Sequence, residues 1–443
     1  METTLAQKTA ATLRAAQKSH SNPHDIGIED YARELGENAR NASRHLRSLP
    51  LVKRNGVLKE LSSSLHEAQA EILAENAKDM EVGKEQGLSS ALLDRLSLTP
   101  ARIKNMVENI KTIIDFPDPL GKQLSKKVRR DKLRIRRVSV PIGTILFIYE
   151  SRPNVTIDGG ALCLKSGNAV ILRGGKEAAH TNAVFARLFD EALRAKGVDP
   201  FCVQLVRMAS HALVDLLLTD VKHVDLVIPR GGEKLIQSVV EKSRVPVIKH
   251  YKGVCHIYVD KTADMKAAER IVVNAKVQRP GVCNAMETLL VDANIKPASI
   301  RRILDILVEN KVELRGDKAI CKLHPSAKPA TEADWDEEYL DLKLAVRMVA
   351  GVNDAIDHIN RHGTGHTDAI LAKSSKVQKA FLAGVDSASV MVNASTRFAD
   401  GTEYGLGAEV GISTDKLHAR GPMGLDSLTT YQWIVEGKGH VRK

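Results

Sequence analysis

Cys283 lies in Gln278-Arg279-Pro280-Gly281-Val282-Cys283-Asn284, a setting that suits a nucleophilic thiol. A Pro-Gly turn keeps the side chain accessible, and nearby Arg279 favours the thiolate, the form that attacks a carbonyl carbon. An accessible thiol with no role fits the same residues. The other cysteines read differently. Cys163 falls in an amphipathic helical stretch, and Cys202 and Cys255 in apolar strand-like runs, where buried inert thiols are the rule. Cys321-x-x-His324 is half a metal site at most.

Two loops echo each other: Arg173-Gly174-Gly175-Lys176-Glu177 and Arg230-Gly231-Gly232-Glu233-Lys234. Each follows an apolar strand and precedes a helix, where free N–H groups and glycine let a phosphate approach the backbone. Neither is a GxGxxG or a GxxxxGK[ST] fingerprint, so a dinucleotide site and a pair of tight turns both remain open. His358, His362 and His366 have helical spacing, but Gly363-Thr364-Gly365 breaks the helix before His366, and Ile359 stands where a zinc-protease motif needs Glu. No metal site is expected.

The elements that must hold these residues alternate. Residues 28–112 read as helices, with Thr99 capping a helix that opens at Pro100. In 126–140 apolar residues alternate with Arg, as in an exposed two-stranded ribbon. From 142 strands (142–149, 169–172, 203–206, 224–228, 245–248) alternate with helices (156–164, 177–195, 213–218, 233–241). Short continuous apolar strands in this rhythm mean a parallel, doubly wound α/β sheet whose ligands bind at the strand C-termini. A second alternating block follows, with strands at 255–259, 288–291 and 344–349, helices at 299–309 and 353–360, and a loop at 325–338.

The 443 residues suit two to three domains. Their net charge is +11, but only Lys126–Arg137 is a basic run free of interspersed acids beyond Asp131, and no aromatic residues interleave with it. Nucleic-acid binding is therefore less expected than the steering of small polyanions. No apolar run approaches the roughly 18 residues of a membrane span. The odd cysteine count without CxxC, and a first segment lacking an apolar centre, point to a reducing cytoplasmic setting and a flexible extension over 1–23.

With Cys283 and the two glycine loops in view, the chain resembles the aldehyde dehydrogenase superfamily over about 28–436. Within it the resemblance is to the branch that reduces L-glutamyl 5-phosphate. Ser151-Arg152-Pro153-Asn154-Val155-Thr156, LCLKSGNAVILRGGKE (162–177), IPRGGEKL (228–235), GVCHIYVD (253–260), 355–370, NASTRFADG (393–401) and 406–425 carry it.

The resemblance implies roles. Cys283 is the nucleophile, and Asn154 supplies the amide that binds the oxyanion. Arg173, Gly174, Gly175, Lys176, Arg230, Gly231, Gly232 and Glu338 hold the cofactor, with Glu338 on the nicotinamide ribose. Arg152, Arg279, His366 and Arg397 hold the substrate's carboxylate or phosphate. Two departures carry information. The superfamily's general-base glutamate falls near His250, and its loss favours reduction over hydrolysis of an acyl-enzyme. Lys176 stands where NAD-using relatives carry an acid, so with Arg173 it welcomes a 2′-phosphate, which implies NADPH. The expected product is L-glutamate 5-semialdehyde, in proline biosynthesis from glutamate. The implied fold is α/β and aldehyde dehydrogenase-like. A cofactor domain takes 24–124 and 140–252, a catalytic domain 253–427, and a β-ribbon oligomerisation arm 125–139 with 428–443. A homo-oligomer and an association with glutamate 5-kinase are implied in the same way. The rival readings are a basic nucleic-acid or scaffold protein that kept a dehydrogenase shell, and an oxidising aldehyde dehydrogenase.

Overall fold

The computed structural model describes residues 26–249 and 251–442, so the extension at 1–23 and the position of His250 lie outside the described residues. Two compact units result. The first runs to Ile248 and takes in Gly407–Gly411 and the chain from Met423; the second holds Lys249–Leu406 and Ile412–Pro422. This division falls at 248/249, against an expected 252/253, and gathers both arm segments into the first unit.

The first unit begins with helices α1 (Ile28–Leu46), α2 (Leu51–Glu67), α3 (Gln69–Glu85), α4 (Ser90–Leu96) and α5 (Pro100–Asp115). Thr99 caps α5 as expected, its Oγ1 accepting from the Arg102 N–H at 3.2 Å with Pro100 in the first turn. Next come β1 (Gln123–Val128), β2 (Arg134–Pro141), β3 (Thr144–Tyr149), α6 (Asn154–Lys165), β4 (Ala169–Gly174), α7 (Ala179–Ala195), β5 (Val203–Leu205), α8 (His211–Thr219), β6 (Leu226–Arg230) and α9 (Glu233–Lys242).

Among the described residues, four parallel strands form the sheet in the order β5-β4-β3-β6. Every residue of β3 is buried, the signature of a sheet covered on both faces. The chain builds outward from β3 to β4 and β5, then returns to place β6 on the other side of β3. The order therefore reverses beside β3, where such sheets bind ligands.

Several local expectations change. The strand expected at 245–248 is a single bridge between Val247 and Val227, because Pro246 interrupts the run. Cys202 lies in a 3₁₀ turn (Pro200–Cys202) and not in a strand. Helix α6 is not amphipathic: every residue but Asn154 and Asp158 is buried. A 3₁₀ turn at Lys176–Ala178 precedes α7, and β4 and β6 run through Arg173-Gly174 and Arg230. The expected two-stranded ribbon has a third strand, Thr429–Glu436, paired antiparallel with β2, and Arg137 stacks its guanidinium 4.7 Å from the Tyr431 ring centroid.

The second unit contributes β7 (Cys255–Val259), α10 (Met265–Val277), β8 (Met286–Asp292), α11 (Pro297–Glu309), β9 (Glu313–Gly316), α12 (Lys318–Leu323), β10 (Lys328–Pro329), β11 (Lys343–Val349), α13 (Val352–His362), β12 (Thr367–Leu371), α14 (Ser375–Gly384) and β13 (Ser389–Val392). Its parallel sheet runs β10-β9-β11-β8-β7-β12-β13 among the described residues. Ile257, Leu289, Val346 and Ala369 of this sheet pack with Val272, Leu304 and Leu307 of the helices into one core. The stretch 325–338, expected as a loop, contains β10 and a 3₁₀ turn at Glu332–Trp335.

Candidate active site

In the first unit the site is built at the C-terminal edge of the sheet. Tyr149, the last residue of β3, hydrogen-bonds through its hydroxyl to Thr156 Oγ1 at 2.6 Å, and Thr156 donates to Asn182 Oδ1 at 2.7 Å. One buried chain of bonds thus fixes β3, α6 and α7 to each other. Asn154 and Asp158 lie on the open face of α6, and the Asn154 amide nitrogen donates to Asp158 Oδ2 at 3.1 Å. Burial pushes the Asp158 carboxyl up, against hydrogen bonds from Asn154 and Asn109 that lower it. An amide nitrogen carries two protons. With one on Asp158, a second amide proton of Asn154 remains to donate elsewhere.

Arg173, Gly174, Gly175 and Lys176 line a pocket of about 460 Å³ between the ends of β4 and β5 and helix α7. Its wall also includes Arg207, whose N–H donates to the Tyr31 hydroxyl at 3.2 Å. Sequence reasoning missed Arg207 because no glycine marks it. The available signal was a cation near a strand C-terminus: Arg207 lies two residues past β5, and Arg173 and Arg230 lie in the last two residues of β4 and β6. Three cations, two glycines and a strand edge suit a phosphorylated nucleotide.

Arg230, Gly231 and Gly232 lie at the end of β6, on the far side of β3 and outside that pocket. The Gly232 N–H donates to Glu150 Oε2 at 3.0 Å, and Arg230 faces Glu409 at 3.8 Å. The N-terminus of α9 is thus a working anion site, occupied by a carboxylate of the same unit.

The second unit holds the thiol. Cys283 is partly exposed in the turn between α10 and β8, closed by the Ala285 N–H donating to Val282 O at 3.0 Å. Asn284 anchors the turn by donating from Nδ2 to Ala399 O at 2.9 Å. Behind it, Cys255 is fully buried and donates its S–H to the Cys283 carbonyl, sulfur to oxygen 3.2 Å. Burial raises the Cys255 thiol well above its usual range, so it stays protonated. Gly253 admits the turn: a Cβ there would lie 1.9 Å from the Cys283 oxygen. The Gly253 N–H donates to Glu338 Oε1 at 2.9 Å, which ties Glu338 to the same backbone.

Arg397 Nε donates to Gln278 Oε1 at 2.9 Å. Burial first, and the charge of nearby Arg279 second, hold its guanidinium below the ordinary value, and Cys283 is among its electrostatic neighbours. Arg397 therefore bonds to the segment that carries Cys283 and lies within electrostatic reach of Arg279. Arg152 lies in the first unit, just before α6, partly exposed. His366 is placed differently from expectation. It is 1% exposed, with Nδ1 2.9 Å from Thr367 Oγ1 and 3.7 Å from Cys255 Sγ, so it supports the thiol behind the Cys283 turn. His358 and His362 belong to α13, which ends at His362. Among the described residues no group of His, Cys, Asp and Glu is arranged to hold a metal.

Residues 8–326 match the model of the aldehyde dehydrogenase family. A gamma-glutamyl phosphate reductase of Geobacter metallireducens is 49% identical over 416 residues, covering 94% of this chain and 100% of the relative. The crystal structure of gamma-glutamyl phosphate reductase from Thermotoga maritima superposes with a TM-score of 0.91 at 43% identity, covering 93% of this chain and 100% of that one. That of the Saccharomyces cerevisiae enzyme gives a TM-score of 0.52 at 30% identity, over 93% and 98% of the two chains.

Proposed function

The chain belongs to the aldehyde dehydrogenase family and is an oxidoreductase, and from that premise we propose that it reduces L-glutamyl 5-phosphate to L-glutamate 5-semialdehyde and phosphate in proline biosynthesis, with NADPH. The similarity along 94% of the chain to a relative of that name supports the reading. The observation that carries it is the partly exposed Cys283 on a turn backed by buried Cys255, with Arg397 hydrogen-bonded to Gln278 of the same segment. Arg279 and Arg397 bring positive charge to that segment, and an acyl phosphate with a free carboxylate brings negative charge at both ends.

In this reading the Cys283 thiolate attacks the γ-carbonyl of the acyl phosphate. Asn154 donates its remaining amide proton to the developing oxyanion, held in that orientation by Asp158. Phosphate departs as the carbonyl re-forms, leaving a thioester on Cys283. Arg152, Arg279 and Arg397 neutralise the substrate's anionic ends. Arg173, Lys176 and Arg207 suit the adenosine phosphates of NADPH, and Arg230, Gly231, Gly232 and Glu338 complete the set that we assign to it. When bound, the cofactor supplies the hydride that converts the thioester to the aldehyde.

The exposed three-stranded sheet is proposed as the arm of a homo-oligomer. An association with glutamate 5-kinase follows from the reaction, because an acyl phosphate hydrolyses readily in water. The deciding assay runs the reaction backwards: glutamate semialdehyde should reduce NADP+ only when phosphate is supplied. Reduction of equal rate without phosphate would instead identify an oxidising aldehyde dehydrogenase.

A further inference from the structure

Ser151 has φ 44, in the left-handed region that side-chain-bearing residues rarely enter. It is 4% exposed and lies between the end of β3 and the start of α6. Such backbone persists only where the surroundings over-determine it, and it concentrates at functional sites. Here one oxygen supplies the constraint. Glu177 Oε1 accepts from both the Ser151 N–H at 2.6 Å and the Ser151 hydroxyl at 2.9 Å, across 26 residues of chain. A carboxylate accepting two such bonds is a strong tether.

We propose that Glu177 is a positioning residue: it holds the Ser151 turn in the conformation from which Asn154 enters its helix, and it couples that turn to the glycines of the cofactor pocket. This rests on the reading of Asn154 as the oxyanion donor. The turn passes directly into α6, with the Val155 N–H bonded to Arg152 O at 3.0 Å and the Thr156 N–H to Pro153 O at 3.1 Å. Asn154 is three residues beyond the tethered Ser151, so a shift of the turn displaces its amide.

The second half of the coupling is steric. A Cβ on Gly175 would lie 2.1 Å from Glu177 Oε1 and 2.3 Å from Oε2. Glycine at 175 therefore serves to seat this carboxylate, besides any approach of a phosphate. Arg173, Gly174, Gly175 and Lys176 line the pocket, and Glu177 is the side chain that joins their loop to the Asn154 turn. Neither its exposure nor its sequence context marked it.

The test compares Glu177→Ala, Glu177→Gln, Asn154→Ala and the double variant Ser151→Gly/Glu177→Ala, each checked for folding by circular dichroism. Glu177→Ala should lower kcat by about tenfold or more, as expected when a donor is misplaced by a fraction of an ångström. Glu177→Gln, whose amide oxygen accepts the same bonds, should restore kcat to within about threefold of the parent. The double variant should exceed Glu177→Ala by about threefold, because glycine adopts the left-handed backbone without steric cost. A folded Glu177→Ala protein with unchanged kcat overturns the proposal, and so does a loss that neither Glu177→Gln nor the double variant repairs. Unchanged kcat in Asn154→Ala overturns the underlying reading instead, whatever Glu177 does.

Discussion

The buried thiol of Cys255 donates to the backbone carbonyl of Cys283 at 3.2 Å, so one cysteine supports the turn that presents another. The two side chains differ in exposure: Cys255 is 0% exposed and Cys283 partly exposed. That difference sets their chemistry, because alkylation needs an accessible thiolate. Iodoacetamide should label Cys283 before Cys255, with activity lost in step with that label. Cys283→Ala should abolish turnover, leave the protein folded and retain NADPH binding. Substantial reductase activity in Cys283→Ala, with Cys255→Ala inactive, would contradict the assignment.

For Asn154 the expected loss is in kcat. Removing a single oxyanion donor costs on the order of 100-fold, so Asn154→Ala should fall by that order with a small change in KM. Asp158→Ala should lose about tenfold, since the amide survives but its orientation is no longer fixed. Steady-state kinetics decide between these and a role in substrate binding, which would move KM alone.

Cofactor preference follows from the cations around the 460 Å³ pocket. In the proposed assignment a 2′-phosphate, which carries close to two negative charges, accepts from Arg173, Lys176 and Arg207, whereas NADH leaves them facing one another. NADPH should be favoured by about tenfold or more in kcat/KM. Both Lys176→Glu and Arg207→Ala should narrow the ratio. A ratio unmoved by either substitution would place the reader of the ribose elsewhere.

Lys276 and Glu287 form an ion pair at 2.5 Å with both side chains 0% exposed. Burial pushes the Glu287 carboxyl up to about 7 and lowers the Lys276 ammonium. Glu287→Gln leaves the ammonium without its counter-charge, and breaking such a pair costs about 3–5 kcal/mol. The double variant Lys276→Met/Glu287→Leu should cost much less, because both desolvation penalties disappear together. Denaturant titration of the three proteins measures the difference.

His358 supplies a pH dependence. Burial first, then neighbouring His256, push its imidazole down to about 2, and Arg347 donates to its Nδ1 at 2.9 Å. The folded state keeps this ring neutral, while the unfolded ring titrates near 6.5. Between those values the unfolded chain binds the extra proton, so stability rises with pH there. The contribution is full above about pH 6.5 and is lost progressively as the pH falls towards 2. In His358→Gln, melting temperature should depend less on pH between about 6.5 and 4 than in the parent.

The elements were legible in the sequence because their signals are local. Continuous apolar runs such as Thr144–Tyr149 can only be strands covered on both faces. Thr99 and Pro100 mark a helix start within three residues. The Pro-Gly turn before Cys283 likewise carries its own accessibility, and the glycines of the Arg173 loop announce a strand edge that backbone can approach. What the tertiary structure decided is pairing across distance. No local pattern reveals that Glu177 reaches Ser151 or that Cys255 lies behind Cys283. His366 shows the limit from the other side: its motif suggested a substrate ligand, and the packing of β12 against β7 buried it beside Cys255. Spacing along a chain fixes periodicity and turns, whereas burial and hydrogen-bond partners depend on which strands become neighbours.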